Sequence, residues 1–359
     1  MTTDPLGLWR RAISERLVAL AQSSGRSAAA GPASFLEAGR LGRATLATYA
    51  LGLGLVALAY IVVSIAATAI LFAAAGEAAD PSTLPALPIG PAGPAATLGL
   101  LLIPSAVVVA AVASVARGVH ARPASTLVRA ERPLRWRRAL VAGGVWTGSA
   151  ATFELVAYLL YPSSYSWSFD PARFVPLLVV AVLLLPLQSA AEELFFRGYL
   201  MQGLAVATRR GWTALVASSI AFALVHAGNP ELVRFGRWFL LYYAGVGLGL
   251  GLAAILDDGL EVAIGAHTAN NLWGALVASF PGSVLDTPAL LRVDGVPPAA
   301  TAALGAAAAL TSLLALGTLY RWRNRWRALG PLPIEPIEPP APPAPAVAEV
   351  GQGGPPAAG

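Results

Sequence analysis

The sequence contains no cysteine, which excludes disulfide bonds, iron–sulfur clusters and a thiol nucleophile. It contains no lysine either, so all 24 basic residues are arginine. Charge of either sign is scarce, at 12% of the 359 residues, about half the share that a soluble domain carries. With 56% hydrophobic residues and a mean hydropathy of +0.65, so few charges could not give a water-soluble fold of this length a polar surface. Hydrocarbon is the solvent that suits it. The first 43 residues lack the apolar core of a cleavable signal peptide and instead carry Arg10, Arg11, Arg16, Arg26, Arg40 and Arg43. No nucleic-acid-binding pattern accompanies the net charge of +5. The arginine clusters therefore read as orientation signals and contacts to anionic lipid headgroups, and no nucleic-acid partner is expected. There is no internal repeat and no His-Glu-x-x-His motif, so the common zincin arrangement is excluded.

What is present is a series of apolar runs. A membrane-spanning helix takes about 20 apolar residues. Runs at 44–75, 97–116, 139–161, 174–206, 212–228, 238–256, 262–280 and 300–320 meet or approach that length. The expected fold is all-α, a polytopic transmembrane bundle of about eight helices. The fourth run would be about 50 Å long as one helix, and Pro186 predicts a kink or a split in it. Read as segments, the chain has a basic N-terminal part (1–43), N-terminal helices with a basic loop (44–173), a core (174–280), a last helix with a basic end (281–329) and a Pro/Ala-rich tail (330–359) expected to be unstructured.

Charge supports this count. The N-terminal segment, 117–138, Arg209–Arg210 and Arg321–Arg327 are arginine-rich, whereas loops 76–96 and 162–173 are not. With eight spans the basic segments share one side. The positive-inside rule then places both termini in the cytoplasm. The all-arginine composition fits a bacterial inner membrane. Loop 257–261, with Asp257, Asp258 and Glu261, is an acidic exception on that side. Trp136, Trp167, Trp212, Trp238, Trp322 and Trp326 sit at span ends, as interfacial aromatics do. Gly245, Gly247, Gly249 and Gly251 form overlapping small-xxx-small patterns, read as close helix packing.

Lipid makes ionisable groups costly, so those inside the apolar runs carry the functional information. They are Glu154, Glu192, Glu193, Arg197, His226 and His267, joined by the amide of Asn271. Adjacent residues on a helix point about 100° apart, so Glu192 and Glu193 cannot share a direction. Glu193 and Arg197 are four apart and can form an ion pair, which leaves Glu192 free for proton transfer. His226 ends a run in which Phe222 lies four residues earlier on the same face. His267 and Asn271 are also four apart and offer an imidazole and an amide from one face. Such a pair can bind a metal, donate hydrogen bonds to an oxyanion, or simply tie helices together. Unpaired, each group would cost several kcal/mol in lipid, so all should converge on one cavity.

These residues stand as Glu192-Glu193-x-x-x-Arg197, Phe222-x-x-x-His226 and His267-x-x-x-Asn271, in that order on successive helices. The pattern resembles the CAAX prenyl-protease and bacteriocin-processing (CPBP, or Abi) family of intramembrane proteases, over roughly residues 174–280. The resemblance implies a helical bundle with a conical cavity open towards the cytoplasm and cleavage of a peptide bond in a membrane-associated, in some members prenylated, protein or peptide. It implies that Glu192 activates a water with help from His226. His267 and Asn271 would stabilise the oxyanion, and Glu193 and Arg197 would brace the site. A zinc ion held by Glu192, His226 and His267 is compatible with it, as is a metal-free glutamate mechanism. Two other readings stand beside it: a non-catalytic binding or immunity protein that keeps the fold, and a proton-coupled transporter.

Overall fold

Inside an apolar run the backbone can satisfy its polar groups only within its own segment, so each run closes into a helix. The computed structural model describes residues 34–75, 93–130 and 133–332. The expectations for most of the N-terminal segment, for most of loop 80–96 and for nearly all of the Pro/Ala-rich tail lie outside the described residues.

The helices are α1 (Leu46–Ala75), α2 (Gly93–Gly118), α3 (Trp136–Leu160), α4 (Pro171–Thr208), α5 (Gly211–Val225), the short α6 (Pro230–Phe235), α7 (Leu240–Asp257), α8 (Glu261–Leu276) and α9 (Pro298–Leu319). Three short strands, β1 (Tyr165–Trp167), β2 (Ala278–Ser279) and β3 (Leu291–Val293), join in the order β1-β3-β2 at one end of the bundle. Among the described residues seven helices are long and apolar enough to cross a membrane, and the chain is an integral membrane protein. The seventh run, expected at 262–280, yields α8 of only 16 residues. It packs against α3, α4 and α7, and the chain beyond it turns into β2.

Two features depart from expectation. Pro186 neither ends nor splits α4, which stays α-helical to Glu193. The irregularity comes later, as eight residues of π-helix from Leu194 to Met201. Single π turns inside α-helices frequently accompany functional sites, and this one begins immediately after the glutamate pair. The glycine stripe of α7 is divided. A side chain on Gly251 would come within 2.6 Å of Leu215, and one on Gly247 would press on Ser219, both on α5. Gly245 and Gly249 face nothing within 4 Å. The stripe is therefore half packing surface for α5. Gly265 does the same for α8, where an added Cβ would overlap the Ala139 carbonyl of α3.

The arginine-rich segments gather at one end of the bundle. Arg122 Nη1 donates to the Ala38 carbonyl at 2.6 Å and to Gln202 Oε1 at 2.8 Å. The Leu332 amide donates to the Arg209 carbonyl. The acidic loop also lies here and is neutralised. Asp257 pairs with Arg135 at 2.8 Å and with Arg138. Glu261 pairs with Arg135 at 2.8 Å and Arg129 at 3.7 Å. Of the six span-end tryptophans five are exposed, while Trp322 is buried and donates its indole N–H to Asp257 Oδ1 at 3.1 Å.

His120, fully buried at the same end, donates Nδ1–H to the Arg43 carbonyl at 2.8 Å and faces the Tyr199 hydroxyl at 3.0 Å. Burial lowers its pKa below the usual value of 6.5, outweighing the Arg43 hydrogen bond that raises it. The folded state thus prefers neutral His120, and the unfolded chain binds a proton first on acidification. The stabilisation is complete above the unfolded pKa and is lost as pH falls through the folded one. Acidification from about pH 7.5 to about pH 5.5 should lower the melting temperature of the wild type more than that of His120→Gln. Equal loss in both, by thermal scans in detergent, would contradict this.

Candidate active site

The core polar residues come from three helices. α4 supplies Gln188, Glu192, Glu193 and Arg197; α5 supplies Phe222, with His226 in the turn that follows; α8 supplies His267, Asn270 and Asn271. Glu193 and Arg197 form the expected i, i+4 ion pair at 2.9 Å, both essentially unexposed. Arg197 also donates to the Gly247 carbonyl at 3.1 Å, and its guanidinium stands 4.5 Å from the Phe222 ring centroid. Phe222 thereby has a physical role. One ring backs Arg197, lies 4.4 Å from the His226 ring and 6.3 Å from the His267 ring. A cation over an aromatic face in a dry setting adds about 2 kcal/mol.

His267 joins both carboxylates. Its Nδ1 lies 2.8 Å from Glu193 Oε1, and its Nε2 lies 3.7 Å from Glu192 Oε2. The adjacent glutamates point apart, as helical spacing requires, yet one imidazole reaches both. Glu192 is the less buried of the two, with 27% of its side chain exposed against none for Glu193. Its Oε1 accepts a hydrogen bond from Gln188 Nε2. Its Oε2 is buried and accepts none. Asn271 donates to Gln188 Oε1 at 2.8 Å and accepts from Asn270 at 3.0 Å. A chain of amides therefore runs from Asn270 through Asn271 and Gln188 to Glu192. His226 donates Nδ1–H to the Phe222 carbonyl at 2.7 Å, leaving Nε2 as its open nitrogen, and stacks on Tyr243 at 4.5 Å and 26°.

Glu192, His226, His267 and Asn271 all border one cavity of about 820 Å³, whereas Glu193 and Arg197 stand behind its wall. The structure thus brings the six predicted residues together and divides them into a lining set and a supporting set. Among the described residues, no three His, Asp or Glu side chains stand close enough together to hold a metal ion. Glu192, His226 and His267 do not form a ligand set as they are placed.

Sequence reasoning missed several cavity groups. Gln188 lies one turn before Glu192, an amide in an apolar run, and that signal was readable. Glu154, noted for its position, accepts from the Tyr165 hydroxyl at 2.6 Å and from Trp273 Nε1 at 3.2 Å. It pins α3 to α8 two residues beyond Asn271. Burial and the Glu154 hydrogen bond push the Tyr165 hydroxyl well above its ordinary pKa, so it stays a donor. Glu231, buried, accepts from the Val284 amide at 2.8 Å and Ser283 at 3.3 Å. These partners are 11 to 119 residues apart in sequence, so no local pattern announces them.

An all-helical membrane bundle with a carboxylate, two imidazoles and an amide on one internal cavity defines a class: a candidate intramembrane hydrolase. Comparison with known proteins agrees. Residues 171–273 match the family model described as type II CAAX prenyl endopeptidase, Rce1-like. The matched segment spans every motif residue. The chain is also similar to a protein of Bacillus subtilis (strain 168) described as uncharacterized protein YyaK, 30% identical over 169 residues. That alignment covers 47% of this chain and 56% of the relative, so the chain spans little more than half of the length of that relative. No solved structure matches.

Proposed function

We propose that the chain is an intramembrane endopeptidase that hydrolyses a peptide bond of a membrane-associated protein or peptide, with prenylated CAAX-type peptides as the first class to test. The observation that carries the reading is Glu192 Oε2, a buried carboxylate oxygen without a hydrogen bond beside His267 on the wall of the cavity. A water held by that oxygen and His226 Nε2 gives its proton to Glu192 and attacks the substrate carbonyl. The oxyanion takes hydrogen bonds from Asn271 Nδ2–H and from His267 Nε2–H. Glu192 then passes the proton to the leaving amine, which restores the carboxylate. Preorganised donors of this kind supply about 3 kcal/mol each in acyl transfer. Glu193 holds the His267 ring from the other side, and Arg197 neutralises Glu193.

The test is cleavage of lipid-tethered peptides, farnesylated and unfarnesylated, by purified protein in detergent or liposomes, read by mass spectrometry. Cleavage by the wild type and none detectable by Glu192→Gln is the expected result. Equal cleavage by both would reject the role given to Glu192, and no cleavage of any tethered peptide would reject the reading.

Zinc enters as a second, separable proposal, with Glu192, His226 and His267 as its ligands. Since these three do not meet at ligand distance, no step above runs through a metal. A strong chelator should change the rate by less than about twofold, whereas a metal-generated nucleophile would be abolished. Loss of activity restored by added zinc would overturn the metal-free mechanism.

A further inference from the structure

The two ends of the bundle differ in charge, and the cavity belongs to only one of them. The end formed by 37–43, 117–130, 133–138, 209–210, 257–261 and 321–327 carries fourteen arginines against four acidic residues. The opposite end, formed by 161–173, 226–239 and 277–297, carries four arginines (Arg173, Arg234, Arg237, Arg292) against four acids (Asp170, Glu231, Asp286, Asp294). Arg234 is committed to Asp294 at 2.8 Å, and Arg292 to Asp286 at 2.8 Å. Their helices connect these ends in strict alternation, so the assignment does not depend on any single loop.

No residue of the arginine-rich segments borders the cavity. Its walls are the opposite halves of α2, α3, α7 and α9 and the middle of α1, α4 and α8. Towards the charge-balanced end its lining includes Tyr165, Arg234, Phe280, Val284, Val293 and Val296, all in connections there. Val284 is 43% exposed. A second edge reaches α1, where Tyr60 and Ile61 border the cavity and are 49% and 51% exposed on the helix surface. The motif residues follow the same geometry: His226 caps the far end of α5, away from Arg210.

Arginine in short loops next to spans governs orientation. We infer that the cavity opens on the extracytoplasmic side of the membrane, opposite to the side that the family resemblance implies. On the proposed endopeptidase reading, the substrate class follows. It is an exported, membrane-associated peptide or protein segment whose apolar part enters beside Tyr60 and Ile61. Its scissile bond reaches Glu192 through the loop-lined mouth. A prenylated peptide confined to the cytoplasm would meet the closed, arginine-rich end, so such peptides test the chemistry on purified protein, where both ends are accessible.

The absence of cysteine makes a direct test clean, because each introduced thiol is the only one. Ser163→Cys and Val284→Cys place a thiol at the mouth end, and Ser125→Cys places one at the arginine-rich end; Ser163 and Ser125 are exposed. The full chain in sealed right-side-out membrane vesicles is treated with a membrane-impermeant charged maleimide. Labelling of Ser163→Cys and Val284→Cys should exceed that of Ser125→Cys by at least about tenfold, with the order reversed in inverted vesicles. All three should label after detergent. Preferential labelling of Ser125→Cys from outside, or equal labelling of the two ends, would overturn the inference. Labelling needs no catalysis. A chain labelled as expected that cuts nothing would lose the protease reading and keep this one, whereas cleavage with reversed labelling would do the opposite.

Discussion

Arg197→Leu is expected to destabilise the folded bundle by about 3–5 kcal/mol, the range for breaking a buried ion pair from one side. Arg197 is 1% exposed and Glu193 is unexposed. With the guanidinium removed, Glu193 keeps only His267, and its Oε2 already lacks a hydrogen bond. The substitution also removes the bond to the Gly247 carbonyl, which ties α4 to α7, and the cation above Phe222. For a protein of this size that cost corresponds to a fall of about 10 °C in melting temperature. Arg197→Lys should fall between the two, since it restores a charge without the planar fork that bonds Glu193 and Gly247 together. The double variant Glu193→Gln, Arg197→Leu should be more stable than the sum of the singles predicts, because the stranded charge is gone. A thermal scan that finds Arg197→Leu within about 1 kcal/mol of wild type would show that the pair is not what holds α4 in place.

That ion pair was legible because it is local. Glu193 and Arg197 are one helical turn apart, and the same turn-spacing gives Phe222 with His226 and His267 with Asn271. Burial in lipid then forces such groups together, so convergence of three segments followed from solvation cost alone. Cavity groups recruited across long sequence distances were not legible. Glu154 finds Trp273 across 119 residues and Glu231 finds Val284 across 53. Pro186 does not split its helix, because a proline in a long membrane helix can be carried by its neighbours, and the change of helix type comes later, in a π-helical stretch without proline or glycine at its start. The eighth helix ran shorter than its hydrophobicity suggested, since residues after Leu276 leave to pair with β3. Hydropathy reports that a segment avoids water, and it does not distinguish burial in lipid from burial in protein.

Glu192→Gln should leave the fold intact and reduce cleavage by about three orders of magnitude, within the range supplied by general acid–base catalysis. The neighbouring glutamates thus have opposite expected phenotypes. Glu193 is enclosed by Arg197 and His267, so its loss is chiefly structural. Glu192 makes one hydrogen bond, from Gln188, and otherwise faces the cavity. A glutamine there is nearly isosteric and turns no buried cation loose, so the melting temperature should move by no more than about 2 °C. What the amide cannot do is take a proton from water and return it to the leaving amine. If the loss appears in kcat with little change in KM, the carboxylate acts in the transition state, as the mechanism requires. Single-turnover measurements on one tethered peptide would separate this from slow release. Should Glu192→Gln cleave at the wild-type rate while Glu193→Gln is inert and folded, the base would be Glu193, and the supporting and lining roles of the two residues would have to be exchanged.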